Sequence, residues 1–101
     1  MSDATTAEEY IETLPERLME LAQKNETVQI SIKSQFVPLL VSDLMRGVLT
    51  RISELPEGNL LEKLAAKATK QPVVHIKVNA QSAKMMVRDL RAGADIRKKQ
   101  H

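Results

Sequence analysis

Between Val28 and Lys33 apolar and polar side chains alternate at every step, VQISIK, and between Val74 and Asn79 they alternate again, VHIKVN. A period of two sends successive residues to opposite faces of a strand. Each run is therefore predicted as a short β-strand. Val28, Ile30 and Ile32 share one face of the first, and Val74, Ile76 and Val78 share one face of the second. The opposite faces carry Gln29, Ser31 and Lys33, and His75, Lys77 and Asn79. Burying six β-branched side chains contributes roughly 9–18 kcal/mol gross, so the apolar faces are expected to lie against helices.

Helical spacing surrounds both strands. After the first, Val37, Leu40, Val41, Leu44 and Val48 form an i, i+3, i+4, i+7 stripe; after the second, Ala83, Met86, Val87, Leu90 and Ala94 do the same. Ser34 is the expected N-cap of the first of these helices, with Pro38 tolerated near its start. Gly93 is expected to end the second at C′. Gly47 either ends its helix in the same way or permits a close helix crossing. Before the first strand a helix is expected within Ala7–Lys24, its stronger part starting near Thr13 so that Pro15 falls in the first turn. Before the second strand, LLEKLAAKATK follows Gly58-Asn59, with Asn59 as N-cap, and stops ahead of Pro72.

The two halves also match residue by residue. Shifted by 46 positions, Leu14–Leu49 faces Leu60–Asp95 without a gap, and 12 of the 36 pairs are identical. The identities include Val28/Val74, Ile30/Ile76, Gln35/Gln81, Asp43/Asp89, Leu44/Leu90 and Gly47/Gly93. An internal duplication is the expectation, and two copies suggest a pseudo-two-fold domain in which one chain does what a symmetric dimer does elsewhere. The fold class expected is α+β: a duplicated helix–strand–helix unit whose two strands pair as an antiparallel ribbon on about four helices. All 101 residues form one domain, with repeat one over about 5–50, repeat two over about 51–96 and a basic tail over 97–101.

Composition narrows the chemistry. The chain has no cysteine, hence no disulfide framework and no thiolate metal site. No apolar run is long enough to span a bilayer. MSDATTAEEY is too acidic and polar for a signal peptide, so the expected location is the cytoplasm. One Phe, one Tyr and no Trp argue against modules that stack bases on aromatic rings. There is no glycine-rich phosphate loop, nucleophile motif or paired-carboxylate site, so neither an enzyme nor a cofactor is expected. His75 has no second ligand at metal spacing, and no metal is expected. Asp43 and Asp89 read as partners in helix-surface ion pairs, for instance with Arg46 or Arg91.

Charge is unevenly placed. Residues 1–26 hold seven acids against Arg17 and Lys24, whereas residues 27–101 hold thirteen basic and six acidic side chains. Such asymmetry fits a polyanionic partner with an acidic segment held elsewhere. A two-stranded ribbon fits the major groove of B-DNA, where Lys donates to guanine and Asn or Gln pairs with adenine. The candidate base-reading residues are therefore Gln29, Ser31, Lys33, His75, Lys77 and Asn79, set as Gln29, Ser31 and Lys33 running beside Asn79, Lys77 and His75. Flanking phosphates are assigned to Ser34, Gln35 and Gln81 at the helix starts and to Arg97, Lys98 and Lys99 in the tail. Gln35 and Gln81 serve equally well as helix caps, and the tail equally well as a solvated end.

At these residues the chain resembles the ribbon-helix-helix repressors of the MetJ and Arc type. In that family an alternating strand enters the major groove, the next helix sets its N-terminus on a phosphate, and a second helix completes a dimer core. Val28–Lys33, Ser34–Arg46 and Gly58–Lys70 resemble one such unit; Val74–Asn79 and Ala80–Ala92 begin another. The second lacks a downstream helix, and the N-terminal helix would fill its place, as in a circular permutation. The segment SELPEGN is longer than the family's usual turn. The resemblance implies sequence-specific binding of double-stranded DNA by a monomer acting as a pseudo-dimer, as a repressor or a plasmid or phage accessory factor. The competing expectation is a small protein-interaction module (inhibitor, adaptor or antitoxin-like) that docks through the acidic first helix or a strand edge. Both readings allow further self-association.

Overall fold

The computed structural model describes residues 6–54 and 59–100. Four helices and two strands run in the order α1 Ala7–Lys24, β1 Thr27–Lys33, α2 Val37–Val48, α3 Leu60–Lys70, β2 Val73–Asn79 and α4 Ala80–Lys99, with a 3-10 turn over Ser34–Phe36 ahead of α2. The strands pair antiparallel as an isolated ribbon. Such a ribbon is marginal alone, and here one face is roofed by helices. Val28, Ile30, Ile32, Val74 and Ile76 are buried and Val78 half-buried, in a core shared with Leu14, Leu18, Leu40, Leu44, Leu64, Val87 and Leu90.

Helix boundaries follow local chemistry, in places differently from the expectation. α1 fills the whole of the expected Ala7–Lys24 range, and it is firm well ahead of Thr13 because Thr6 and Glu9 close a capping box: the Glu9 N–H donates to Thr6 Oγ1 and the Thr6 N–H to Glu9 Oε1, each at 3.1 Å. Pro15 lies well inside that helix and is buried, so packing compensates for the hydrogen bond its missing N–H forgoes. Asn59 caps α3 as expected, accepting the Glu62 N–H at 3.1 Å. Ser34 does not cap α2. Its hydroxyl instead donates to the carbonyl of Gln71, at the exit of α3. Residues 55–58, which include Gly58 and most of SELPEGN, lie outside the described residues.

Neither Gly47 nor Gly93 terminates a helix. Both are buried inside α2 and α4, where the two helices cross. A Cβ at Gly47 would overlap the backbone carbonyl of Asp89, and a Cβ at Gly93 the carbonyl of Asp43. Of the two roles open to Gly47, close crossing is therefore the one found, and the C′ role expected for Gly93 is replaced by the same function. Glycine is needed there for backbone approach rather than for a left-handed turn.

Pairs of matched positions make reciprocal contacts throughout. The Ser34 N–H donates to Pro72 O at 2.9 Å, and the Ala80 N–H to Glu26 O at 2.8 Å. Gly47 meets Asp89, and Gly93 meets Asp43. Each member of such a pair is shifted from its counterpart by 46 positions. These contacts fasten each strand exit to the entry of the other strand, which fixes how the ribbon sits on the helices.

Candidate functional site

The ribbon face turned away from the core is open to solvent. Thr27, Gln29, Ser31 and Lys33 on β1, and Val73, His75, Lys77 and Asn79 on β2, are all exposed, while their in-between neighbours face inward. The register is one pair away from the expected one. Gln29 stands opposite Lys77, Ser31 opposite His75, Thr27 opposite Asn79 and Lys33 opposite Val73. The strands each start one residue earlier than the alternation suggested, and this adds Thr27 and the apolar Val73 to the face. At its centre Ser31 Oγ lies 2.8 Å from His75 Nδ1. That cross-strand pair orients both side chains.

The six proposed base readers are thus brought onto one surface, but they are not equally available. Asn79 is the N-cap of α4, its Oδ1 accepting the Ser82 N–H at 2.7 Å. A side chain held in that way is committed to the helix start, so its expected role in reading bases is corrected to one in shaping the ribbon's end. Gln29, Lys33 and Lys77 remain exposed, with two formal positive charges among them.

The phosphate set divides more sharply. Gln35 and Gln81 are exposed at the starts of the helical segments that leave the two strands. Ser34 is occupied by Gln71 and Pro72, both on the other strand's approach. Residues 97–99 are not a tail, because α4 continues through them. At a rise of about 1.5 Å per residue, Arg97 sits about 26 Å along the axis from the helix start at the ribbon. Its side chain is 9% exposed and holds Asp43, with Nε to Oδ1 at 3.1 Å and Nη2 to Oδ2 at 3.3 Å. The Asp43 carboxylate, with Glu8 and Glu12 behind it, raises the guanidinium pKa above its ordinary value. Lys98 pairs with Glu12 at 3.0 Å. Arg97 and Lys98 are therefore corrected from phosphate contacts to partners of the fold's own acids, and Lys99 is exposed at the same far end of α4.

The acidic and basic segments read from the sequence thus meet each other. Glu8 reaches Arg97 at 3.7 Å and Glu12 reaches Lys98, so part of the charge asymmetry is spent inside the molecule. Sequence reasoning missed Arg51. Its side chain donates to Asp89 through Nε at 2.9 Å and Nη2 at 2.8 Å, and this hydrogen bonding raises its pKa. The signal was present: the match between halves extends past Leu49/Asp95 to Arg51/Arg97. Asp89 was assigned to Arg91, which is not the observed partner, whereas the expected Asp43–Arg46 pair forms at 3.0 Å. Both aspartates are buried, so their role is at the helix crossing and not on the helix surface.

Among the described residues no group of three or more acidic, histidine or cysteine side chains is arranged to hold a metal ion, and no helix is long and apolar enough to cross a membrane. No family model, curated protein or solved structure matches the chain.

Proposed function

We propose that this chain binds double-stranded DNA by laying the outer face of its β-ribbon in the major groove. One observation carries the reading: a short antiparallel ribbon buries one face in the helices and offers the other, with Gln29, Ser31, Lys33, His75 and Lys77, wholly to solvent. A ribbon of this width enters the major groove, and these side chains supply the donors and acceptors that distinguish base pairs there. Gln35 and Gln81 flank the ribbon at opposite ends, where helix starts favour phosphate oxygens.

In this reading the chain is a duplicated ribbon-helix-helix unit, and the reciprocal contacts between matched positions support the duplication. The two strands differ in their outer residues, so the two half-sites differ in sequence. Affinity is moderate, because Arg97 and Lys98 contribute little to phosphate neutralisation. A cytoplasmic transcriptional repressor or accessory factor suits such a module.

The test is binding to duplex DNA at low and moderate salt, followed by selection of a preferred site. Salt-dependent retention is expected, with a log–log slope set by the few phosphates contacted. Lys77→Ala then costs about 1–3 kcal/mol on the selected site and relaxes preference at one position. No retention at low salt, or an unchanged affinity for Lys77→Ala, removes the ribbon as the reader.

A further inference from the structure

The two halves differ most in what precedes their first helices. α1 starts at Ala7, seven residues before the stretch that matches α3. In those two turns Ile11 is buried, Tyr10 stacks on Phe36 with ring centroids 4.7 Å apart, and Glu8 approaches Arg97. The matched positions in the second half begin with Ser53 and Glu54, which are exposed and outside any helix. Among the described residues, no helix covers the counterpart of the surface that α1 covers in the first half.

That counterpart is an apolar groove of about 260 Å³ between α2, α3 and α4. Its lining includes Val48, Ile52, Leu60, Ser82, Met85 and Met86. By the 46-residue match, Ser82 stands at the place of Phe36, Met85 at that of Leu39 and Ile52 at that of Lys98. Met85 is 43% exposed, Leu60 40% and Ile52 36%, a concentration of large apolar side chains at one place. Beside it Arg51 occupies the place of Arg97. It has Asp89 as Arg97 has Asp43, and its side chain stays 28% exposed where that of Arg97 is sealed beneath Glu8. Lys63 and Arg88, each three residues along its helix from Leu60 and Met85 and so on a neighbouring part of the same helix face, are exposed cations.

We propose that this groove takes a short acidic amphipathic helix from a protein partner, seated as the first two turns of α1 seat on the other half. The geometry calls for an aliphatic or aromatic pair facing Met85, Ile52 and Leu60, and a carboxylate facing Arg51. Methionine on a groove wall adapts to such helices. The inference concerns a surface apart from the ribbon and stands whether or not the ribbon reads DNA.

The test uses the full chain with its methionine methyl groups labelled with carbon-13. Met85 and Met86 report on the groove, and Met19 and Met45, outside its lining, serve as references. The probes are a stapled helix carrying the Ala7–Thr13 pattern, AEEYIET, and a twin with lysine in place of each glutamate. The acidic helix is expected to shift Met85 and Met86 saturably with Kd in roughly the 10–100 μM range, and the basic twin to bind about tenfold more weakly. Met85→Glu, at an exposed position, is expected to leave the melting temperature unchanged and abolish the Met86 shift. Absence of a saturable shift up to about 1 mM, equal binding of the twin, or shifts centred on Met19 would overturn the proposal. So would a concentration-dependent dimer dispersed by Met85→Glu, which would assign the groove to a second copy.

Discussion

The helix crossing presents the same three residues twice, in different surroundings. Gly93, Asp43 and Arg97 form one set, and Gly47, Asp89 and Arg51 the other. In the first, Asp43 is fully buried and also binds Arg46, and Arg97 is closed off by Glu8 from α1. In the second, Asp89 binds Arg51, and that arginine is partly open. Two differences accompany this: Arg46 is matched by Ala92 in the second set, and α1 lies over the first set with no helical counterpart over the second among the described residues. An ion pair's contribution depends on what screens it, and here a helix laid across one end and one additional arginine together make the two halves unequal.

Removing each carboxylate is the strongest way to separate the two sets. Asp43→Ala leaves Arg97 buried without its principal partner and is expected to cost about 3–5 kcal/mol in chemical denaturation. Asp89→Ala leaves Arg51 with access to water and is expected to cost clearly less; equal losses would mean that α1 does not seal its end. Gly93→Ala is next, at about 3 kcal/mol, because backbone must move to admit a methyl group. Gly47→Ala should cost the same, since backbone closes on both glycines. Lys77→Ala and Lys33→Ala carry the comparison to the ribbon. Lys77 faces Gln29 near the centre and Lys33 faces Val73 at the edge, so DNA affinity should fall by about 1–3 kcal/mol for the first and less for the second.

The smallest effect is a pH dependence confined to the covered half. The N–H and hydroxyl of Thr6 hold the Glu9 carboxyl below its usual pKa. A group whose folded pKa is lowered stabilises the fold above its unfolded value and loses that contribution as pH falls through the folded one. Fraying of the first turn of α1 is therefore expected to increase on acidification below the ordinary glutamate range, read by amide exchange at Glu9 and Tyr10. Thr6→Ala should flatten that response.

Much of the fold was legible because it is written in short-range patterns. Alternation at VQISIK and VHIKVN fixed which strand faces are buried, and Asn59 announced the start of α3. The crossing was legible only as one of two roles for Gly47, and its ion pairs were not. A glycine inside a helix at a close approach and a glycine at C′ look the same in one dimension, and the chain separates Asp43 from Arg97 by 54 residues and Asp89 from Arg51 by 38. The candidate face was readable as a set of positions but not as a set of free side chains. Asn79 caps α4 through a contact only three residues away, hidden because the alternation counted it as a strand residue, whereas Ser34 answers to Gln71 across 37 positions of the chain. The basic stretch ending in Lys99 read as a tail because its acidic partners are far away in the chain, Asp43 on α2 and Glu8 and Glu12 on α1.

Mapping amide shifts of the labelled full chain on addition of a selected duplex tests groove recognition most directly. The account predicts that the largest changes fall on Gln29, Ser31, His75 and Lys77, with smaller ones at Gln35 and Gln81 and none at Arg97. Changes concentrated on the far end of α4 or on α1, with the ribbon silent, would contradict it.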